Sequence, residues 1–136
     1  MRIDRQDYNE KEKREKRLIN LKKTIIIEPM KKNRIILEEL KNLLRANFGN
    51  DIRSVILFGS RATGEAHKNS DYDVLIVLNR NYNREYRLKI TSVVLEMELK
   101  YDIFIDTKLI STHELYHTIK GKGPLYVDAI QQGIHA

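Results

Sequence analysis

The sequence predicts a small α/β domain: a short mixed β-sheet with helices packed mainly on one face, in the order αββαβαα. Three observations predict it. The apolar runs ending at Phe58 and Leu78 have the length and β-branched content of strands. The segments around them repeat apolar residues at helical spacing. The chain has 136 residues, which suits one hydrophobic core.

Residues 1–28 stand apart as a charged N-terminal arm or marginal helix. The run KEKREKR at 11–17 is followed only by Leu18, Leu21 and Ile25 at regular spacing, and Ile25-Ile26-Ile27 would be a sticky patch unless covered. Glu12 and Lys16, four apart with the acid first, lend weak helical support. The domain proper is expected over 29–136. Pro29 suits a first helical turn. Ile35, Ile36, Leu40, Leu43 and Leu44 then mark one face of a helix that stops near Gly49.

Residues 52–58 read as the first strand, 59–70 as a loop rich in Gly, Ser, Thr and Asn, and 71–78 as the second strand. Tyr86, Ile90, Val93, Val94 and Met97 predict a second long helix, and 101–105 a third strand. Ser111 and Glu114 have capping-box spacing and predict a short helix. The run Gly121-Lys122-Gly123-Pro124 breaks the chain before a last helix over 125–132.

Composition narrows the function. With no Cys there is neither a disulfide framework nor a thiolate zinc site, which fits a reducing cytoplasm. The charged N-terminus lacks a signal-peptide core, and no apolar run has bilayer length, so no membrane role is expected. The net charge is +6, but residues 1–28 hold nine Lys/Arg and six Asp/Glu, leaving only +3 for the other 108. A mixed ionic surface is favoured over a nucleic-acid patch.

The stretch GSRATGEAHKNSDYD, residues 59–73, carries the chemistry. Asp71 and Asp73 alternate along a strand, so they share a face. Two adjacent carboxylates repel unless a cation lies between them, and oxygen ligands beside phosphates call for Mg²⁺. Gly59 allows the backbone to approach a phosphate, Ser60 can donate to it, and Arg61 can add charge. Asp102, in an apolar setting expected to be a strand, is the candidate third carboxylate, a ligand to metal and a base toward an attacking hydroxyl. Asp106 has the same parity but reads as a turn or cap residue.

Gly59-Ser60, ten intervening residues and Asp71-x-Asp73 resemble the motif of the DNA polymerase β-type nucleotidyltransferase superfamily. Asp102 takes the place of its third carboxylate. The short length and helix order over 30–136 resemble its minimal nucleotidyltransferase (MNT) group; the arm at 1–28 is a departure. The resemblance implies transfer of a nucleoside monophosphate, as AMP from ATP, to a hydroxyl with release of pyrophosphate. Ser60 would grip the triphosphate, and Asp71, Asp73 and Asp102 would hold Mg²⁺, with two ions expected. The MNT group often pairs with a helical HEPN protein in toxin–antitoxin modules, where the nucleotidyltransferase adds AMP to a toxin tyrosine as antitoxin. About thirty residues follow the third predicted strand, too few for a substrate domain, so another chain is expected to supply the acceptor.

Two other functions stand beside this one. The chain could neutralise a partner by contact alone, through the arm and Leu18, Leu21 and Ile25. A small-molecule or RNA nucleotidyltransferase is less favoured, given the low charge outside the arm. His113-Glu114-Leu115-Tyr116-His117 matches H-E-x-x-H, but the capping spacing favours a plain surface helix over a zinc site. The tyrosines read as packing residues, and no P-loop or dinucleotide fingerprint is present.

Overall fold

A computed structural model describes residues 5–67 and 69–136 and, within them, every side chain except those of 5–8 and 22–27. The order is α1 (Arg5–Phe48), β1 (Ile52–Phe58), α2 (Ser60–Thr63), β2 (Tyr72–Leu78), α3 (Arg84–Tyr101), β3 (Ile105–Ser111), α4 (Thr112–His117), α5 (Pro124–Gln132) and β4 (Ile134–His135). The sheet order is β3-β2-β1-β4. β1 runs antiparallel to β2 and β4, and β2 runs parallel to β3. The sheet is therefore mixed, as the sequence predicts.

β2 is the spine. All but one of its residues are buried, which is why it reads as a continuous apolar run rather than an alternating one. Tyr72, Val74, Ile76 and Leu78 pack toward α1 and α3, which contribute Ile36, Leu40, Leu44, Ile90, Val94 and Met97. Leu75 and Val77 pack the other way, with Ile56, Ile110, Leu115 of α4 and Ala129 of α5. The two long helices thus share one face and the two short C-terminal helices the other.

Three expectations are corrected. α1 runs without interruption across residue 28, and Pro29 lies inside it rather than in a first turn. Proline removes one N–H and crowds the preceding turn, at a cost of about 3 kcal/mol in a helix interior. Ion pairs Glu12–Lys16 at 3.4 Å and Glu28–Lys31 at 3.7 Å lie along the helix, the second spanning the expected boundary. The side chains of Ile25-Ile26-Ile27 lie outside the described residues, whereas Leu18, Ile19 and Leu21 are exposed.

The third strand is Ile105–Ser111, not 101–105. α3 continues through Tyr101 and ends at Asp102 in the left-handed region, φ 51° and ψ 54°, with its N–H bonded to the Glu98 carbonyl. Asp tolerates that conformation better than most residues, which makes it a workable helix stop. Finally, β4 pairs with the end of β1 through Ile56↔His135 and Leu57↔Ile134, a strand too short to show periodicity.

The capping box at α4 forms as expected: Ser111 accepts from the Glu114 N–H at 3.0 Å, and the Ser111 N–H donates back to Glu114 at 3.2 Å. No helix among the described residues is long and apolar enough to cross a membrane.

Candidate active site

The site forms where β1 ends and β2 and β3 begin. Phe58 faces Asp73 across the antiparallel pair. The chain then turns at Gly59, with φ 70° and ψ −155°, and Ser60 opens the single turn of α2. A side chain on Gly59 would be strained by the positive φ and would collide with the Asp73 carboxylate. Glycine here is what allows the turn and the carboxylate to occupy adjoining space.

Asp71 lies just before β2 and Asp73 within it, on the side opposite Tyr72 and Val74. In the parallel register, Asp73 pairs with Asp106 and Leu75 with Lys108. The sheet face thus carries a row of three carboxylates, Asp71, Asp73 and Asp106. Lys108 Nζ lies 3.7 Å from Asp106 Oδ1. Burial pushes the Asp73 carboxyl above its ordinary value, Asp106 and then Asp71 push it further, and Lys108 only partly opposes them. Charge of one sign has been gathered against its own repulsion, and a cation would relieve it.

The donor set fits Mg²⁺: all oxygen, anionic, at the rim of a sheet and beside a turn suited to phosphate. The carboxylates form an open row and not a closed cage. Among the described residues no three His, Cys, Asp or Glu side chains are gathered closely enough to hold an ion.

Two sequence-predicted residues lie elsewhere. Asp102, at the end of α3, lines a groove on the Tyr72 side with Lys32, Arg61, His67 and Tyr101, and is not among the charges acting on Asp73. The register of β3 brings Asp106 to the row instead. Arg61 turns back into its own loop. Its Nε and Nη2 donate to the Ser70 carbonyl at 3.2 and 2.8 Å, and its guanidinium lies 4.4 Å from the Tyr72 ring centre. It braces the loop between the two halves of the motif rather than standing with Ser60.

Asn33 escaped the sequence reading. It is only 3% exposed, accepts from the Tyr72 hydroxyl at 2.9 Å and donates to the Arg61 carbonyl at 3.1 Å. It therefore ties α1 both to the start of β2 and to α2. The available signal was a polar residue at the head of the apolar stripe Ile36, Leu40, Leu44. Glu114, in the H-E-x-x-H sequence, is occupied by its cap and by Lys120 at 3.1 Å, while His113 and His117 are exposed. This is the surface helix expected.

The sequence model of the polymerase beta nucleotidyltransferase family matches residues 38–129, from the second half of α1 into α5. The chain belongs to the polymerase beta nucleotidyltransferase family. The matched span holds the Gly59-Ser60 turn and all three carboxylates of the row. Two relatives come from Methanocaldococcus jannaschii. "Putative protein adenylyltransferase MJ1305" is 37% identical over 94 residues, 66% of this chain and 61% of that protein. "Putative protein adenylyltransferase MJ0141" is 36% identical over 70 residues, 52% of this chain and 71% of that protein. The chain thus spans less than two thirds of the length of the first. Among solved structures, a toxin-antitoxin protein with AMP-PNP superposes with a TM-score of 0.50 at 21% identity, covering 72% of this chain and 69% of that one. That likeness shows the nucleotidyltransferase-like fold.

Proposed function

We propose that this family member transfers AMP from ATP to a hydroxyl on a partner protein, using Mg²⁺. The observation that carries the reading is the row Asp71, Asp73 and Asp106 on one sheet face, with the Gly59-Ser60 turn directly beside Asp73. Residues 29–136 are taken as the catalytic unit and 1–28 as its appendage. Asp106, not Asp102, takes the role of third carboxylate, because the register puts it opposite Asp73.

Gly59 lets the backbone approach the triphosphate, and the Ser60 hydroxyl donates to a phosphate oxygen. Mg²⁺ on Asp71, Asp73 and Asp106 would offset the phosphate charge and favour the displacement electrostatically. Asp106, near the open edge of the row, accepts the proton of the incoming hydroxyl. The new bond joins that oxygen to the α-phosphorus, the bond from the α-phosphorus to the bridging oxygen breaks, and pyrophosphate leaves with the electron pair.

The relatives' names support a protein as acceptor, and the fold shared with a toxin-antitoxin protein supports a toxin as that protein. We take the acceptor to be a tyrosine of a HEPN-type helical partner, with the chain acting as antitoxin in the cytoplasm, where ATP and Mg²⁺ are supplied. Label from α-labelled ATP should pass to such a partner with Mg²⁺ and not with chelator. Equal labelling by wild type and Asp71→Asn/Asp73→Asn would sink the enzymatic reading.

Exposed Leu18, Ile19 and Leu21 on α1 favour a second reading, neutralisation by contact. It predicts that removing residues 1–28 abolishes complex formation, while the double Asp variant still neutralises.

A further inference from the structure

A cleft of about 520 Å³ lies between α2 and α5, bordered by Gly59 and Ser60 themselves. Small-molecule sites run from roughly 300 to 1,000 Å³. The cleft opens on the carboxylate face: Phe58 and Ala129, which line it, pack with the Leu75 and Val77 side of the sheet. Across that face the order is therefore Asp106, Asp73, Phe58, then cleft. The larger groove by Lys32 and Tyr101 lies on the Tyr72 side and touches neither Gly59 nor Ser60.

Leu125, Asp128, Ala129 and Gln132 fall at three- and four-residue spacings, so α5 presents one mixed face to the cleft. Phe58 and Leu125 supply apolar surface. Asp128 and Gln132 are exposed, and neither side chain has a hydrogen bond or ion pair among the described residues. Glu65 and Asp128 put carboxylates on the walls. Such walls repel a triphosphate, so with the phosphates at Ser60 the cleft takes the neutral end of the nucleotide. An ionised carboxylate can only accept hydrogen bonds, which suits a ribose hydroxyl. A carboxamide both donates and accepts, which suits the N6 and N7 edge of adenine.

We infer that this cleft is the nucleoside subsite, with Asp128 accepting from the ribose 2′-hydroxyl and Gln132 reading the base, so that the chain selects ATP over 2′-deoxy-ATP and GTP. The inference rests on the assignment of the phosphates to Ser60 and the carboxylate row. Both residues lie on the exposed face of a helix, so truncating them leaves the fold intact.

The test is calorimetric binding of ATP, 2′-deoxy-ATP, GTP and inorganic tripolyphosphate, each with Mg²⁺. Wild type should prefer ATP over each other nucleotide by about tenfold, the effect of one good hydrogen bond. Asp128→Ala should erase only the preference over 2′-deoxy-ATP, and Gln132→Ala only that over GTP. Tripolyphosphate should bind Gln132→Ala as it binds wild type, and Asp128→Ala no more weakly, since that variant loses a repelling carboxylate. Preferences that are missing in wild type or survive both substitutions overturn the subsite, while tripolyphosphate binding keeps the phosphate assignment. Tripolyphosphate that fails to bind wild type, or binds Ser60→Ala/Asp73→Asn equally well, overturns the phosphate assignment and the subsite with it.

Discussion

The two faces of β2 are built from one strand yet do opposite work. On one face Tyr72, Val74, Ile76 and Leu78 are closed under α1 and α3, and every residue is at most 3% exposed. On the other, Leu75 and Val77 are covered by α4 and α5, but the strand's first turn of alternation, Asp71 and Asp73, lies open with Asp106 beside it. Alternation lets one strand bury apolar side chains on one side while holding mutually repelling carboxylates on the other. The closed face offsets the electrostatic cost of the open one.

Breaking the closed face should have the largest effect. Ile76 is fully buried, and Ile76→Ala should cost about 2–5 kcal/mol through lost burial and a cavity. Chemical denaturation would measure it. A loss below about 1 kcal/mol would show that this face is not what supports the site.

The closed face was also the more legible one. Ile36, Leu40, Leu44, Ile90, Val94 and Met97 announce themselves by period, and β1 and β2 by their continuous apolar runs. Of the site, Gly59, Ser60, Asp71 and Asp73 were visible because they are close in sequence on either side of a turn. Asp106 was not, because its place depends on where α3 stops. Tyr101 to Ile105 has the apolar and aromatic residues of a strand, and only the left-handed stop at Asp102 moves the strand four residues along. Arg61 was misplaced because an arginine's reach says nothing of its direction: the Ser70 carbonyl and the Tyr72 ring decide it. Asn33 acts through residues 28 and 39 positions away, a separation that local pattern cannot see.

Tyr72 belongs to the closed face and, through Asn33 and Arg61, braces the loop that leads to the open one. Tyr72→Phe removes the hydroxyl bonded to Asn33 Oδ1 and leaves a buried acceptor unpaired, at a cost of about 1–3 kcal/mol. It should also increase proteolytic cleavage between residues 61 and 71, where the Arg61 brace sits. A loop cut no faster than in wild type would separate the two faces more completely than the hydrogen bonds imply.

The lower half of the open face is held by α4. Burial alone would push Glu114 up, but the Ser111 N–H and the Lys120 ammonium outweigh it and hold the carboxyl below 4.5, its ordinary value. A group with a depressed folded-state pKa stabilises fully above its unfolded value and loses that contribution as pH falls through the folded one. Glu114→Gln should therefore lower stability by about 0.5–1 kcal/mol at pH 7. The gap between variant and wild type should narrow progressively below pH 4.5. A gap independent of pH would assign the effect to helix geometry instead of charge.

Asp73→Asn gives the smallest effect and the most telling sign. Asparagine keeps the shape, removes the burial penalty on the charge and removes the repulsion from Asp106 and Asp71. In chelator at neutral pH the variant should be more stable than wild type by about 0.5 kcal/mol, a modest figure because the group is partly in water. Most substitutions destabilise, so a gain here marks a residue kept for something other than folding. Added Mg²⁺ with ATP should reverse the order, raising the melting temperature of wild type more than that of the variant, because ligand bound to the native state stabilises by its own affinity. If Asp73→Asn instead loses stability in chelator, then Asp73 contributes to the fold. The contrast between a face that holds the protein together and a face that strains against it would then fail at its central residue.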